Sequence, residues 1–203
     1  VLIGENVDHF GGVTLAGTVS LRAAASVSPR SDGVISVAAN GPLGQEFSAQ
    51  LPYDDQPAHG LARRWWGLVH TLVQRQVLSR DTAGMDLTVE SDVPVGAGLG
   101  ALYAADAAIA LALAGSHDDV DTAPFRARLA EICSHAVATY SSQPVLRARH
   151  SVALRGADGV SVVDYADGSL TQAPHPSRHG VRVFSVSKDC LLYTSPSPRD
   201  RTR

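Results

Sequence analysis

Three glycines at alternate positions, between a strand and an alanine-rich helix, constrain the fold of this chain most strongly. Residues 85 to 90, Met-Asp-Leu-Thr-Val-Glu, alternate apolar with polar side chains and predict a half-buried strand. The loop Pro94-Val95-Gly96-Ala97-Gly98-Leu99-Gly100 follows this strand. Residues 101 to 114 are then rich in Ala and Leu on every face except at Asp106, which predicts a helix buried from its first turn.

The glycine loop is a candidate anion-binding site. Alternate glycines let backbone N–H groups approach an anion closely, and a helix N-terminus adds roughly half a positive charge, so phosphate is the natural ligand. A tight strand-to-helix turn also needs glycine for structural reasons alone. The spacing Gly96-x-Gly98-x-x-Ala101, with Asp118 and Asp119 about twenty residues on, satisfies the dinucleotide fingerprint as well, but no strand is predicted before these acids. A P-loop is excluded because no Gly-Lys-Ser/Thr follows the glycines.

Strands and helices are mixed along the rest of the chain. Two helices are predicted over residues 61 to 76 and 124 to 139, and the tryptophans of the first mark core packing and its rim. The other extended segments predicted are residues 13–21, 23–28, 34–37, 152–154, 160–163 and 181–186. The second and third of these, and likewise the fourth and fifth, are expected to pair as antiparallel hairpins. The sum is an α+β fold, an antiparallel or mixed sheet with helices on one face.

Composition excludes several classes of function. The chain has 203 residues, 44% of them hydrophobic, and a net charge of −3 without a basic cluster before the last residues, so we expect no binding to nucleic acid or anionic lipid. No apolar run is long enough to cross a bilayer. Cys133 and Cys190 are too few for a disulfide scaffold, which favours the cytoplasm, and the histidines show no metal-binding spacing. We expect a monomer that binds small molecules.

Both ends of the chain are atypical. The sequence starts at Val1 in an apolar, strand-like run, which predicts that residues upstream are missing. Residues 190 to 203 change abruptly to Ser, Pro and Arg without periodicity. We therefore expect one domain over residues 1–189, followed by a disordered or non-native tail that resembles translated adapter sequence.

Two motifs resemble those of the GHMP kinases, which include galactokinase, homoserine kinase, mevalonate kinase and phosphomevalonate kinase. Residues 2 to 12, Leu-Ile-Gly-Glu-Asn-Val-Asp-His-Phe-Gly-Gly, resemble the galactokinase signature Leu-Ile-Gly-Glu-His-Thr-Asp-Tyr-Asn-Gly-Gly. Residues 93 to 100 resemble the phosphate loop of the superfamily. The resemblance implies the GHMP kinase N-terminal domain, with the fold of the second domain of ribosomal protein S5.

The resemblance also implies site residues. Glu5, Asn6 and Asp8 would bind sugar hydroxyls, because carboxylates accept paired hydrogen bonds from vicinal hydroxyls, and Gly11 and Gly12 would form the turn behind the sugar. ATP phosphates, with Mg²⁺ as the bridging ion, would lie on the loop and the helix start. The residues implied for this second role are Pro94, Gly96, Ala97, Gly98, Leu99, Gly100 and Ala101.

The sequence departs from the family pattern at the catalytic positions. The family loop continues with serines, one of which holds Mg²⁺, whereas this chain has Ala101-Leu102-Tyr103. The catalytic aspartate of the family falls near Ala148, and His150 is a weak substitute base. The segment around His150 is predicted to be a solvated basic loop. The metal-binding glutamate of the family falls near residues 134 to 136, where Glu131 is the nearest acid.

The resemblance therefore predicts a galactokinase-like sugar kinase, with the ATP γ-phosphate transferred to the anomeric hydroxyl of galactose or a related aldose. This chain by itself is expected to be inactive. A catalytically silent paralogue that binds sugar and nucleotide as a sensor is the first alternative. An NAD-dependent oxidoreductase, which requires a parallel sheet, is the second.

Overall fold

Two sheets and four helices make up the part of the chain that this computed structural model describes, residues 1–5, 7–50, 60–82, 84–157 and 159–184. The arrangement confirms the predicted α+β class. In chain order the elements are β1 (Val13–Gly17), β2 (Ala23–Pro29), β3 (Val34–Ala39), β4 (Gln45–Gln50), α1 (Gly60–Gln74), β5 (Met85–Ser91), α2 (Ala101–Ala114), α3 (Ala123–Tyr140), α4 (Arg147–Arg155), β6 (Val160–Asp164) and β7 (Leu170–Ala173).

The larger sheet is mixed and has the strand order β2-β5-β3-β4. β5 lies in its interior, antiparallel to β2 and parallel to β3. Met85, Leu87 and Val89 are buried while the residues between them are half-buried, which confirms the strand predicted from alternation. The sheet packs against α2, so the sheet and the helix form two packed layers that the glycine loop connects.

The helices bury the residues that the periodicity predicts. Every residue of α2 is buried or half-buried. Trp65 and Trp66 of α1 are 0% and 4% exposed, so both tryptophans belong to the core and neither lines a ligand site. α3 packs against α1 and α4, and its buried apolar residues close the core on the side away from the sheet.

The hairpin predicted for residues 23–28 and 34–37 is wrong. β2 and β3 run in opposite directions, but β5 lies between them and pairs with both. A tight turn joins adjacent strands only, whereas this connection must cross about 10 Å, the width of two strand spacings. The partner that β3 does have in a hairpin is β4.

The second predicted hairpin, residues 152–154 with 160–163, is also wrong. Residues 152–154 belong to the helix α4, and β6 pairs antiparallel with β1 and β7 in the smaller sheet, which has the order β1-β6-β7. Ala148 and Val152 are both buried, four residues apart, so the apolar run follows helical rather than strand periodicity. Val152 packs there against Ala16 and Val163 of the smaller sheet.

The ends differ from the predictions as well. The N-terminal run forms only an isolated antiparallel bridge between Ile3 and Leu15, and β1 ends at Gly17 rather than continuing to residue 21. Residues 181 to 184 form no strand, and the rest of that predicted strand and the tail from residue 190 lie outside the described residues. Among the described helices, none is long and apolar enough to span a membrane.

Candidate functional site

The glycine loop connects β5 to α2 in an unusual backbone conformation. Gly96, Gly98 and Gly100 have φ values of +83°, +72° and +81°, in the left-handed region that favours glycine. A Cβ at Gly96 or Gly98 would meet nothing within 4 Å, so these glycines are needed for backbone conformation and not for close packing. Gly100 is the N-cap of α2, and no side chain caps the helix. The open side of the loop and the first N–H groups of α2 are therefore free to face a ligand.

A large cleft of about 970 Å³ lies against this loop. Gly98, Leu99 and Gly100 line it together with Tyr103 of α2 and Arg149 of α4. The first two residues of the chain, residues from the segment 16–23 and residues from the segment 175–184 also line it. The cleft has the size of a site for a drug-sized ligand or a nucleotide.

The turn after the first motif buries one of the predicted sugar-binding carboxylates. Asp8 begins a short 3₁₀ turn, Asp8–Phe10, that ends at Gly11 in the left-handed conformation. Gly12 packs so closely on Val7 that a Cβ would lie 2.8 Å from the valine Cβ. The Asp8 side chain is only 4% exposed, and both of its oxygens lack a hydrogen-bond partner among the described residues. Asn6 lies outside the described residues.

A small pocket contains this carboxylate. Glu5, Asp8, Thr14, Ala148 and Tyr165 line it, so the structure brings together two of the predicted sugar-binding residues and the position of the family aspartate. Its enclosed space is about 10 Å³, which accommodates one water-sized or hydroxyl-sized group rather than a whole sugar ring. Burial, and next the negative charge of Asp8, raise the pKa of Tyr165 to about 12, so this phenol keeps its proton.

Arg149 connects the small pocket to the large cleft. Its Nη2 donates to Glu5 Oε1 at 3.3 Å, and its Cδ lies 3.8 Å from the position of a Cβ at Gly100. Its guanidinium carbon lies over the Tyr103 ring, 5.3 Å from the ring centroid. Arg64 and Arg147 make similar contacts with tyrosine rings, at 5.1 and 5.5 Å. Arg149 therefore lies between Glu5, a predicted sugar-binding residue, and Gly100, a predicted phosphate-binding residue.

Comparison with solved structures identifies the architecture. The crystal structure of Lactococcus lactis galactokinase complexed with galactose superposes with a TM-score of 0.68 and 15% sequence identity, over 85% of this chain and 44% of that one. The Methanococcus jannaschii mevalonate kinase gives 0.65 and 13%, over 88% and 54%. The fold is that of the GHMP-type kinases. A D-glycero-D-manno-heptose 1-phosphate kinase from Bacteriodes thetaiotaomicron gives 0.59 and 16%, over 81% and 51%.

The chain spans about half the length of these GHMP-type kinases. No protein-family model matches it, and no curated protein matches it either. The likeness is therefore one of fold at low sequence identity. The fold also removes the basis of the dinucleotide reading, because the described sheets contain one parallel pair, β3 with β5, and Asp118 and Asp119 lie in the connection between α2 and α3.

The residues around the loop do not fit the Mg²⁺ ion that the resemblance implies. Ala101 and Leu102 offer no oxygen side chain at the start of α2. The Tyr103 hydroxyl donates to Pro144 O at 3.1 Å and accepts from the Leu146 N–H, so it fixes the segment before α4. Among the described residues, no three His, Cys, Asp or Glu side chains come together.

Glu131, the acid nearest to the implied metal position, is already engaged. Arg147 Nη2 donates to both of its carboxylate oxygens, at 2.7 and 2.8 Å. Ser134, where the resemblance places the glutamate, is buried and contacts His150. Neither residue can bind a cation at the loop without breaking these contacts.

His150 cannot act as the substitute base, and the basic loop predicted around it is wrong. Residues 147–155 form α4, and the His150 ring is 0% exposed and lines neither pocket. Its Nε2 lies 3.1 Å from Asp106 Oδ2 and its Nδ1 lies 3.0 Å from Ser134 Oγ. A neutral imidazole satisfies both contacts, donating to the carboxylate and accepting from the hydroxyl. Sequence reasoning missed this network, although the lone acid in α2 was its signal.

The same contacts make stability depend on pH. Burial lowers the pKa of His150, and the Asp106 carboxylate only partly offsets this. The folded state thus binds fewer protons than the unfolded chain, so this stabilisation is complete above the pKa of a free imidazole, about 6.5, and is lost as pH falls below it. We expect the free energy of unfolding to fall from pH 7.5 to 5.5 on account of this residue, by at most about 1.4 kcal/mol, the value for an imidazole that stays neutral throughout in the folded state.

Urea denaturation at the two pH values tests this expectation. His150→Gln should remove most of the pH dependence attributed to His150, whereas His135→Gln, an exposed position on α3, should leave the profile of the unmodified chain unchanged. Equal profiles for the two variants would show that the buried imidazole does not control the pH response.

Proposed function

We propose that this chain is the sugar- and nucleotide-binding part of a galactokinase-like sugar kinase, which transfers the γ-phosphate of ATP to the anomeric hydroxyl of galactose or a related aldose. The GHMP-type kinase fold supports the reaction class. The left-handed glycine loop at the uncapped start of α2 supports phosphate binding.

The buried Asp8 carboxylate carries the sugar part of the proposal. A buried carboxylate without hydrogen-bond donors is costly, and native structures seldom leave such a group unsatisfied. The exposed His9 ring is close, but its Nε2 lies 3.8 Å from Asp8 Oδ1, too far to donate a hydrogen bond. A sugar hydroxyl entering the small pocket would donate to it, and Glu5, which pairs with Arg149 in this structure, would accept from a neighbouring hydroxyl once that contact opens. A sugar of the wrong configuration would leave the buried charge unpaired, which explains how such a site separates epimers.

The position of the two subsites supports transfer between them. Val1 lines both the small pocket and the large cleft, and Arg149 touches both Glu5 and the glycine loop. A sugar held at Asp8 and a triphosphate held at the loop would therefore share one continuous site. Such proximity is the main requirement of phosphoryl transfer.

A catalytically silent sugar- and nucleotide-binding protein is the second candidate, and one observation favours it. Ala148 lies in the small pocket at the position of the family aspartate, so no carboxylate is added there to Glu5 and Asp8. Binding can persist without that group, whereas removal of a general base typically costs 10²- to 10⁴-fold in rate.

Calorimetry of this chain with galactose, glucose and ATP tests the binding proposal. We expect galactose to bind more tightly than glucose, and Asp8→Asn to weaken galactose binding by about 10- to 100-fold because a charged hydrogen-bond acceptor is lost. Asp81→Asn, at an exposed turn after α1, is the matched control and should bind as the unmodified chain does. Absence of sugar binding would refute both candidates.

Turnover separates the two candidates. Because the chain spans about half of the matched kinases, sugar-dependent ADP release is measured on a full-length parent protein. ADP release that requires a hexose supports the kinase, whereas tight galactose binding without any phosphorylated sugar supports the silent protein.

A further inference from the structure

Arg149 is the least satisfied arginine among those that form ion pairs in the described part of the chain. A guanidinium carries five N–H donors. Arg147 makes two contacts to Glu131, both shorter than 2.9 Å, whereas Glu5, at 3.3 Å, is the single hydrogen-bond acceptor of Arg149 among the described residues. The Arg149 Nε is buried and has no hydrogen-bond partner among the described residues. This side chain has unused capacity to bind an anion.

The surroundings fix where that capacity is directed. The side chain is 21% exposed and lines the large cleft beside Gly98 and Gly100. The guanidinium is held over the Tyr103 ring, and Tyr103 is in turn fixed through its hydroxyl to the segment before α4. An anion at the start of α2 would therefore meet both the helix N–H groups and the guanidinium held on Tyr103.

The chemistry of the loop makes such a group necessary. A triphosphate carries several negative charges, and the oxygen ligands that Mg²⁺ requires are absent at Ala101, Leu102 and Ala148, while Glu131 is held by Arg147. Arg binds phosphate oxygens in a bidentate manner without a metal ion. Of the described residues, three arginines line the cleft, Arg22, Arg149 and Arg182, and among these Arg149 is the one that lies within 4 Å of a Cβ position at a glycine of the loop.

We propose that Arg149 binds the terminal phosphate of the nucleotide and neutralises its charge in place of a metal ion. Glu5 holds the guanidinium in the ligand-free protein, and the phosphate competes with Glu5 for it. The released Glu5 carboxylate then accepts a sugar hydroxyl, so that phosphate binding and sugar binding favour each other. The inference rests on the proposed function, because it assumes that sugar and nucleotide share this site.

Calorimetry with inorganic triphosphate and with ATP, each in EDTA and in excess Mg²⁺, tests this inference. We expect the unmodified chain to bind both without Mg²⁺, and Arg149→Met to weaken binding by about 10- to 100-fold through loss of charged hydrogen bonds. Arg149→Lys should be intermediate, because an ammonium retains charge without the planar fork. Arg126→Met is the matched control, since Arg126 is 23% exposed, pairs with Asp121 at the start of α3 and lines neither pocket.

Glu5→Gln supplies a test that does not depend on removal of the arginine. This variant should bind inorganic triphosphate more tightly than the unmodified chain, because the competing acceptor is weakened, and the gain should vanish in Glu5→Gln/Arg149→Met. Unchanged affinity in Arg149→Met, or triphosphate binding that requires Mg²⁺, would overturn the inference.

The result remains separable from the proposed function. Galactose titrations on the same proteins report on Asp8 and the small pocket. If galactose binds but triphosphate binding ignores Arg149, only the role of Arg149 fails. If galactose does not bind while Arg149 still controls triphosphate affinity, the sugar assignment fails and the anion site stands without its coupling.

Discussion

Replacing Asp106 by alanine is expected to lower the free energy of unfolding by about 3–5 kcal/mol, the cost of breaking a buried ion pair from one side. The Asp106 side chain is 1% exposed. Arg64 donates to it through Nε and, at 2.6 Å, through Nη2, and Trp65 Nε1 donates at 3.1 Å. His150 makes the fourth contact. Without the carboxylate, the Arg64 guanidinium, which is 2% exposed, loses its counter-ion in the core. Burial acts to raise the pKa of Asp106, but Arg64 and His150 outweigh burial and lower it, and the variant loses this stabilisation of the charged carboxylate.

Urea denaturation at pH 7.5 measures the loss. Asp121→Ala is the control, because Asp121 is 86% exposed and pairs with Arg126 at the surface, where such pairs contribute up to about 1 kcal/mol. Arg64→Met/Asp106→Leu should recover part of the lost stability, since it removes both buried charges together but still leaves Trp65 and His150 without their acceptor. If Asp106→Ala were as stable as Asp121→Ala, the buried contacts of Asp106 would contribute no more to the free energy of unfolding than a surface ion pair.

Replacing Gly84 by alanine is expected to destabilise the protein by about 3 kcal/mol, at the upper end of overpacking costs. Gly84 is buried just before β5. A Cβ there would lie 2.4 Å from the carbonyl oxygen and 2.5 Å from the nitrogen of Val34, and both are backbone atoms at the start of β3. The Gly84 carbonyl also accepts from the Arg30 N–H at 2.7 Å, after the end of β2. A side chain at Gly84 would therefore push apart β2, β3 and β5 where they meet and weaken the pairing between them.

Thermal or urea unfolding compared with Gly115→Ala tests the expectation. Gly115 follows α2 with φ −60° and ψ −15°, which alanine adopts freely, and the nearest atom to a Cβ is 3.3 Å away. This control should change stability by less than about 1 kcal/mol in either direction. Equal changes in the free energy of unfolding for the two substitutions would show that the backbone around Val34 shifts to accommodate a Cβ at Gly84 at little cost.

Local patterns predicted much of the fold. The strand β5 and the helices α1, α2 and α3 were expected within about two residues of their observed ends, because alternation and helical periodicity depend on which face is buried. Both ends of α2, residues 101 and 114, agree with the prediction, because a glycine precedes and a glycine follows the run of Ala and Leu.

The failures share one physical cause. The turn after β2 was read as a hairpin because proximity in sequence normally implies pairing, yet β5, more than fifty residues later, inserts between β2 and β3. The sequence of residues 152 to 154 predicts a strand because a short apolar run fits either period, and only packing of Val152 and Leu154 on their neighbours selects the helix.

The sequence alone determined the α+β class, the glycine loop before a buried helix and the carboxylates of the first motif, because each depends on residue type and short-range spacing. Tertiary structure decided which of these groups meet. The tertiary structure buries Asp8 without a hydrogen-bond donor among the described residues, places His150 in the core rather than in a loop and sets Arg149 between Glu5 and the glycine loop. Contacts between residues far apart in the chain are set by long-range packing, which no local pattern records.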